Sequence, residues 1–394
     1  MAERSIVIVG GGLSSARVVS AYREAGGEDP IVLLSADSSV PYHRPPLSKR
    51  YLRGESQAED AFVQPAAFYA EHDVELRLET VVERLLPGDD ALALADGERV
   101  EFDRLVVASG ATPRRLQVRG GDQPHVHTLR RLADSTAIRE AAGRAESAVV
   151  VGAGFIGMEV AASLRQLGLE VALVHRGDQL FEGLRAAQLS TALGNLYRDK
   201  GVRLHLRAEV EELRPGVARL ASGEELAAEL VVTGIGVAPE TGFLDGSGVE
   251  VGDGVLVNER FESSRARVHA VGDVARFLDP VFGRRRRIEH WSNANLQGAE
   301  LGKLLATGEG GYSWVSTFFS EMFGLSLRVL GDVDEFDELE FRGTPGDGPF
   351  AGLYVQAGRL VAAVVGEQPD ERVSKLTELI RDRAPLEEAE AALA

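Results

Sequence analysis

The chain has 394 residues, room for two or three domains around a large core, and its 61 acidic against 43 basic residues give a formal charge of −18. That balance argues against nucleic acid or an anionic membrane as a main partner. With no cysteine, the chain has no disulfide, thiolate metal site, cysteine-ligated iron–sulfur cluster or dithiol redox centre, so any redox chemistry falls to cofactors.

The first apolar run, residues 6–9, follows a charged N-terminus and superficially suggests a secretion signal. It is too short for one, and the glycines after it explain the pattern better. SIVIVGGGLSSA (Ser5 to Ala16) reads as strand, glycine turn and helix, and a second strand is expected over residues 31–34. PYHRPPLSK (Pro41 to Lys49) is a proline-stiffened loop in which no regular structure is expected. Strands over 74–78, 91–94 (with a turn at Asp96-Gly97) and 104–108 read as an antiparallel run. Ala108-Ser109-Gly110-Ala111 closes that section, and Thr112-Pro113 marks a crossover.

A second copy of the opening pattern follows: SAVVVGAGFIGM (Ser147 to Met158). Its helix, expected over 156–167, carries Ile156, Val160, Leu164 and Leu167 at helical spacing, and the next strand is expected at 170–174. The strand–glycine turn–helix order makes G-x-G-x-x-G informative: glycines let backbone approach a pyrophosphate, and the helix N-terminus offers free N–H groups. Two such turns point to two dinucleotides and to electron transfer between them. Residues 147–164 are nearly apolar, but their glycines and Glu159 indicate a buried strand and helix rather than a membrane span. A soluble, cytoplasmic protein is expected. After a strand over 231–236 and Pro239, the chain is expected to rejoin its first domain, reaching VHAVGDVA (Val268 to Ala275). A last unit from about Tyr312 shows strands over 325–330, 339–341, 350–356 and 360–365, a helix over 372–383 and an alanine-rich tail.

Four signatures in order, GGGLSS, PYHRPPLSK, VGAGFIGME and VGDVA followed by IEHWSNANLQG (Ile288 to Gly298), carry a family resemblance across the whole chain. The chain resembles the glutathione-reductase-like flavoproteins, specifically the ferredoxin, putidaredoxin and rubredoxin reductases of oxygenase systems. The resemblance implies an α/β fold: two Rossmann-like, three-layer dinucleotide-binding domains plus an α+β C-terminal interface domain. The expected boundaries are an FAD domain over 1–113 and 242–311, an NAD(P)H domain over 114–241 and an interface domain over 312–394.

It also implies site residues. Gly10, Gly12, Leu13 and Ser14 would cradle the FAD pyrophosphate, and Asp37 would contact the adenosine ribose. Arg44 and Lys49 would lie along the FAD, Val82 would touch its adenine end, and Arg130 would bridge toward it. Ala108, Gly110, Gly272 and His290 would line it, Asp273 would hold the ribityl chain, and Trp291 would sit by the isoalloxazine. Gly152, Gly154, Phe155, Ile156, Gly157 and Gly236 would bind the nicotinamide nucleotide. Glu159 would lie near the nicotinamide and pair with Lys49, making Lys49, Glu159 and Trp291 the residues closest to the chemistry. A lysine beside a flavin favours the anionic reduced ring, and hydride transfer asks mainly for stacked rings and dryness rather than a general base.

Three departures matter. Ser15 replaces the third glycine of the first turn and is expected to loosen helix–strand packing. Ser109 stands where the family usually has threonine. His175-Arg176-Gly177-Asp178 follows the second strand of the second unit, where an acid normally binds the ribose of NADH. On the missing acid, His175 and Arg176 favour the 2′-phosphate of NADPH; the other reading leaves Arg176 in solvent and gives the NADH ribose to Asp178.

Arg284-Arg285-Arg286-Arg287, the one dense basic run, is read either as a docking rim for an acidic iron–sulfur carrier or as a solvated hairpin. His125 and His127 are taken as a structural pair rather than metal ligands. Phe318 or Phe319, in TFFSEMFGL, is expected by the flavin edge. The leading expectation is an FAD-dependent NAD(P)H reductase, monomer or homodimer, passing single electrons to a ferredoxin or rubredoxin. The alternatives are a reductase of a small acceptor (oxygen, quinone or ascorbyl-type radical) and an apoptosis-inducing-factor-like redox sensor.

Overall fold

A computed structural model describes residues 5–393. The chain divides into two compact units: residues 5–44, 58–112 and 237–314 form one, and residues 45–57, 113–236 and 315–393 the other.

The first unit is built on a five-stranded sheet in the order Val268–Ala270, Arg104–Val107, Ile6–Val9, Ile31–Leu34, Val74–Arg77. Every pairing in it is parallel. Continuous apolar runs such as IVIV and RLVV suit strands buried on both faces. This corrects the expected antiparallel run. Only Val82–Leu85, Ala91–Leu94 and Arg99–Glu101 are antiparallel neighbours, whereas Val74–Arg77 and Arg104–Val107 flank that excursion and belong to the parallel sheet. Short apolar runs do not reveal their partners, so the strand positions were readable and their pairing was not.

Helix Leu13–Glu24 packs on helix Trp291–Thr307 through Gly298 and Gly302. A Cβ on either glycine would lie 2.4 Å from a backbone oxygen, that of Ser14 or Val18.

The second unit repeats the arrangement. Its parallel sheet runs Arg203–Leu206, Glu170–His175, Ser147–Val151, Leu230–Thr233, Val126–Thr128. The strand expected to reach residue 236 ends at Thr233 because Gly234 turns against the Gly157 backbone and Gly236 takes φ +95°. Helix Phe155–Gln166 buries Val160 and Leu164 but leaves Ile156 43% and Leu167 39% exposed, so only the middle of the expected apolar ridge faces the core.

The C-terminal stretch of this unit is an antiparallel sheet ordered Thr317–Met322, Leu325–Gly331, Arg359–Gly366, Phe350–Gln356, Glu338–Arg342, with helices Asp370–Arg381 and Leu386–Leu393. Pro45–Ser48, expected to be irregular, forms a 3-10 helix; proline's fixed φ suits a first helical turn, where its missing N–H is not needed. No helix among the described residues is long and apolar enough to cross a membrane.

Candidate cofactor sites

In the first unit the glycine turn lies against the end of the neighbouring strand. Gly10 takes φ +118°, and a Cβ there would lie 2.2 Å from Ala108 O, so only glycine fits. Gly12 is the N-cap of helix Leu13–Glu24 and supplies no side-chain cap. A Cβ on Gly12 would meet only the Arg44 guanidinium, at 3.6 and 3.8 Å. Uncapped helix N–H groups facing open space beside a cation make an anion cradle, and the residues present fit a pyrophosphate.

Ser15 does not loosen this turn: its hydroxyl donates to Gly10 O, so the side chain that replaces the third glycine ties the helix back to the turn.

The later signatures converge on the same place. Gly272 takes φ +78°, and a Cβ on it would sit 2.4 Å from Ser14 Oγ. Gly272 N donates to Gln297 Oε1 at 2.8 Å. Gln297 is fully buried, yet its Nε2 has no protein partner; such an orphaned donor beside the cradle fits a polar ligand. Asp273 is buried, its carbonyl accepts from Arg287 Nη1 at 3.2 Å, and the Asp273 charge reaches His290, which burial pushes down to about 4.

Trp291 Nε1 donates to His43 Nδ1 at 2.8 Å. Asp37, after the second strand, accepts from Tyr42 Oη at 2.8 Å and from Ser39 N at 3.3 Å. Val82 lies half-buried where its strand pairing slips. Gly110 O accepts from Glu240 N at 2.9 Å and Ser109 Oγ donates to Glu240 O at 2.6 Å, which stitches the two crossover segments together.

The second unit holds Lys49, Arg130 and the other cradle. Gly152 takes φ +108°, with Gly234 O 2.3 Å from where its Cβ would be. Gly157 must be glycine because a Cβ would lie 2.0 Å from Gly152 O. Gly154 caps helix Phe155–Gln166 without a side chain, and nothing lies within 4 Å of its Cβ position. This N-terminus is therefore also open, flanked by exposed Ile156. Gly236 O accepts from Arg114 N at 2.9 Å, and Arg130 N donates to Asp134 Oδ2 at 2.9 Å at the start of helix Leu132–Ala142.

Glu159, only 4% exposed, is held by three donors: Lys49 Nζ at 2.5 Å and Ser48 Oγ at 2.5 Å on Oε2, and Ser320 Oγ at 2.6 Å on Oε1. A buried carboxylate so enclosed keeps its charge at a defined place. A cavity of about 190 Å³, lined in part by Lys49, Arg53, Glu159 and Ser163, opens beside the pair. Sequence reasoning missed Ser320. The Phe-Phe-Ser-acid pattern drew attention to its aromatics, yet Phe318 packs edge-on against Phe155 at 4.5 Å and Phe319 is 45% exposed.

His175 Nε2 lies 3.5 Å from Glu182 Oε2, and burial lowers His175 below its usual range. Asp178, which the hydrogen bond from Arg207 holds below the usual carboxylate range, is 2.9 Å from that guanidinium.

The basic run corrects the simplest docking picture. Arg284–Arg287 is a strand antiparallel to Ala275–Asp279. Arg286 is buried against Asp279 at 2.9 Å; Arg287 pairs with Asp253 and Glu289; Arg285 donates to Val257 O but stays exposed. Half of the expected rim is thus spent inside the fold. Among the described residues, no third metal-type side chain joins His125 and His127.

Comparison with known proteins agrees with this geometry. Residues 4–298 match the model of the pyridine nucleotide-disulphide oxidoreductase family. The chain is similar to the 5,5'-dehydrodivanillate O-demethylase ferredoxin reductase subunit of Sphingobium sp., 34% identical over 90% of this chain and 88% of that one. It is also similar to the putidaredoxin reductase CamA of Pseudomonas putida, 30% identical over 98% of this chain and 94% of that one. Among solved structures, the reductase in a covalent putidaredoxin reductase–putidaredoxin complex superposes with a TM-score of 0.93 at 30% identity, covering 98% of this chain and 94% of that one. The absence of cysteine means that this chain works without the redox disulphide of the family's name. With two glycine-turn cradles and these relatives, the chain belongs to the pyridine nucleotide-disulphide oxidoreductase family and is an FAD-dependent NAD(P)H oxidoreductase of the ferredoxin reductase type.

Proposed function

We propose that the chain takes a hydride from NAD(P)H and passes single electrons to a [2Fe–2S] ferredoxin or rubredoxin that serves an oxygenase. The observation that carries this reading is the pair of uncapped helix N-termini at Gly12 and Gly154 in a chain without cysteine. Each is a dinucleotide cradle, and no protein thiol stands ready to receive the electrons. FAD, when bound, supplies the conversion of a two-electron hydride into one-electron steps.

The protein's own share is binding, orientation and charge. Gly10, Gly12, Leu13, Ser14 and Arg44 hold the FAD pyrophosphate, Asp37 its ribose and Asp273 its ribityl hydroxyls. Ala108, Gly110, Val82, Arg130, Gly272 and His290 line the FAD, and Trp291 covers the ring. Gly152, Gly154, Phe155, Ile156, Gly157 and Gly236 hold the nicotinamide nucleotide. Lys49 brings a cation whose place Glu159 fixes, and residues 312–394 form the interface domain.

Steady-state cytochrome c reduction tests this reading, run with NADH and with NADPH, each with and without an added [2Fe–2S] ferredoxin. A large ferredoxin-dependent rise supports it. Bleaching of the flavin by nucleotide with no rise across several ferredoxins would instead point to a small-molecule acceptor.

A further inference from the structure

The acid missing from the strand end beside the second glycine turn is supplied by a residue seven positions further along. His175 ends strand Glu170–His175, next to the turn, where Gly152 N donates to Val174 O at 2.8 Å. The segment beyond it folds back onto that same turn. Phe181 N donates to Ala153 O at 2.9 Å, and the Phe181 ring stacks on Phe155 at 4.4 Å.

Phe181 and Arg185 both take left-handed backbone, φ +50° and +48°, and bracket the short 3-10 turn Glu182–Leu184. The far side of that turn is fastened as well. Tyr354 Oη donates to Leu184 O at 2.8 Å. Arg185 donates to Val333 O at 2.6 Å and to Asp334 O, and lies over the Phe336 ring at 4.3 Å.

Glu182 is therefore presented from a fixed turn. Its carboxylate lies 3.5 Å from His175 Nε2, and 59% of its side chain is exposed. A Cβ on Gly177 would lie 2.7 Å from both Glu182 Oε2 and His175 Nε2. A side chain at 177 would have to push these two groups aside, and glycine leaves them room.

The charges around the position do not favour a dianion. Arg207 is taken by Asp178, and burial disfavours the imidazolium of His175. Arg176 is exposed on the segment, Arg185 is turned to the Val333 and Asp334 carbonyls, and Glu182 adds a negative charge between them in sequence. A ribose 2′-hydroxyl can donate to a carboxylate, whereas a 2′-phosphate beside it meets like charge.

We propose that Glu182 is the ribose-reading acid of this chain and that it selects NADH over NADPH, revising what His175-Arg176 suggests from the sequence. The proposal rests on reading Gly152–Gly157 as the nicotinamide nucleotide cradle.

Calorimetric titration of the flavin-loaded protein with NAD⁺ and with NADP⁺ tests it without turnover. Wild type should bind NAD⁺ about tenfold or more tightly than NADP⁺, and Glu182→Gln should narrow that ratio by about fivefold or more. Asp178→Asn should leave the ratio within about twofold, because its carboxylate is committed to Arg207. A wild type that prefers NADP⁺, an unchanged ratio in Glu182→Gln, or a ratio that moves only in Asp178→Asn overturns the proposal. Binding of neither nucleotide to wild type would overturn the cradle reading along with it.

Discussion

Trp291 Nε1–H donates to His43 Nδ1 at 2.8 Å, with the two rings 5.6 Å apart and tilted by 50°. The bond requires His43 to be neutral with its proton on Nε2. Burial, helped by the Arg17 charge, lowers His43 below its ordinary 6.5 and keeps it in that form. Protonating Nδ1 removes the acceptor, so the bond holds at neutral pH and breaks as pH falls through a value below 6.5. The stability it adds is full above the unfolded-state value and is lost on acidification. The Trp291 indole N–H resonance in nitrogen-15 NMR should stay constant from neutral pH down to that window and then move. In His43→Phe it should show no such titration. A midpoint above 6.5 would contradict the assignment.

Glu159 invites a graded test, because its donors differ in kind. Lys49→Met leaves a buried carboxylate without its counter-charge, a loss of about 3–5 kcal/mol. Ser320→Ala removes one neutral donor and should cost about 1–3 kcal/mol. Thermal unfolding of the flavin-loaded variants should therefore rank Lys49→Met well below Ser320→Ala, and Ser320→Ala below wild type. Equal midpoints for wild type and Ser320→Ala would show that the 2.6 Å bond contributes nothing.

The arginine strand separates fold from docking. Asp279 is fully buried, and its burial raises its carboxyl against the opposing pull of Arg286. Arg286→Ala should cost about 3–5 kcal/mol, because it strands that carboxylate. Arg285→Glu, at an exposed position, should leave the melting temperature nearly unchanged. If the strand contributes to docking, Arg285→Glu raises the KM for an acidic ferredoxin and leaves direct dye reduction by nucleotide intact. An unchanged KM removes Arg285 from the docking surface.

What was legible in the sequence follows from the range of each interaction. Gly10, Gly152 and Gly157 could be read because a glycine turn is local, and the close approaches of 2.2, 2.3 and 2.0 Å that demand glycine lie within its own strand–turn–helix unit and the adjoining strand end. The Lys49–Glu159 pair was expected from a family resemblance and not from spacing. Ser320, 161 residues from Glu159, and Glu182, facing His175 across a left-handed turn, gave no such signal. Their positions depend on how separate segments fold back, which periodicity does not encode. Arg286 illustrates the converse: four arginines in a row look like surface, and only the pairing with Ala275–Asp279 shows that Arg286 is buried against Asp279.

Helix Trp291–Thr307 contains a last relationship that the sequence concealed in plain view. Gly298 and Gly302 are one helical turn apart, and the Gly302 Cβ position lies 2.4 Å from Val18 O and 2.8 Å from Tyr22 N on the facing helix. Glycine to alanine inside a helix ordinarily stabilises by up to about 1 kcal/mol. Here the added methyl meets backbone that cannot yield, so Gly302→Ala should destabilise by about 1–3 kcal/mol or more. Gly194, within helix Ala187–Asp199, is the internal control. Its Cβ position is approached at 3.2 Å only by the movable end of Arg198, so Gly194→Ala should be neutral or stabilising. Opposite shifts in melting temperature for the two substitutions would establish that helix spacing, rather than helix propensity, fixes Gly302. A melting temperature raised by Gly302→Ala would place the two helices further apart than the 2.4 Å clearance implies.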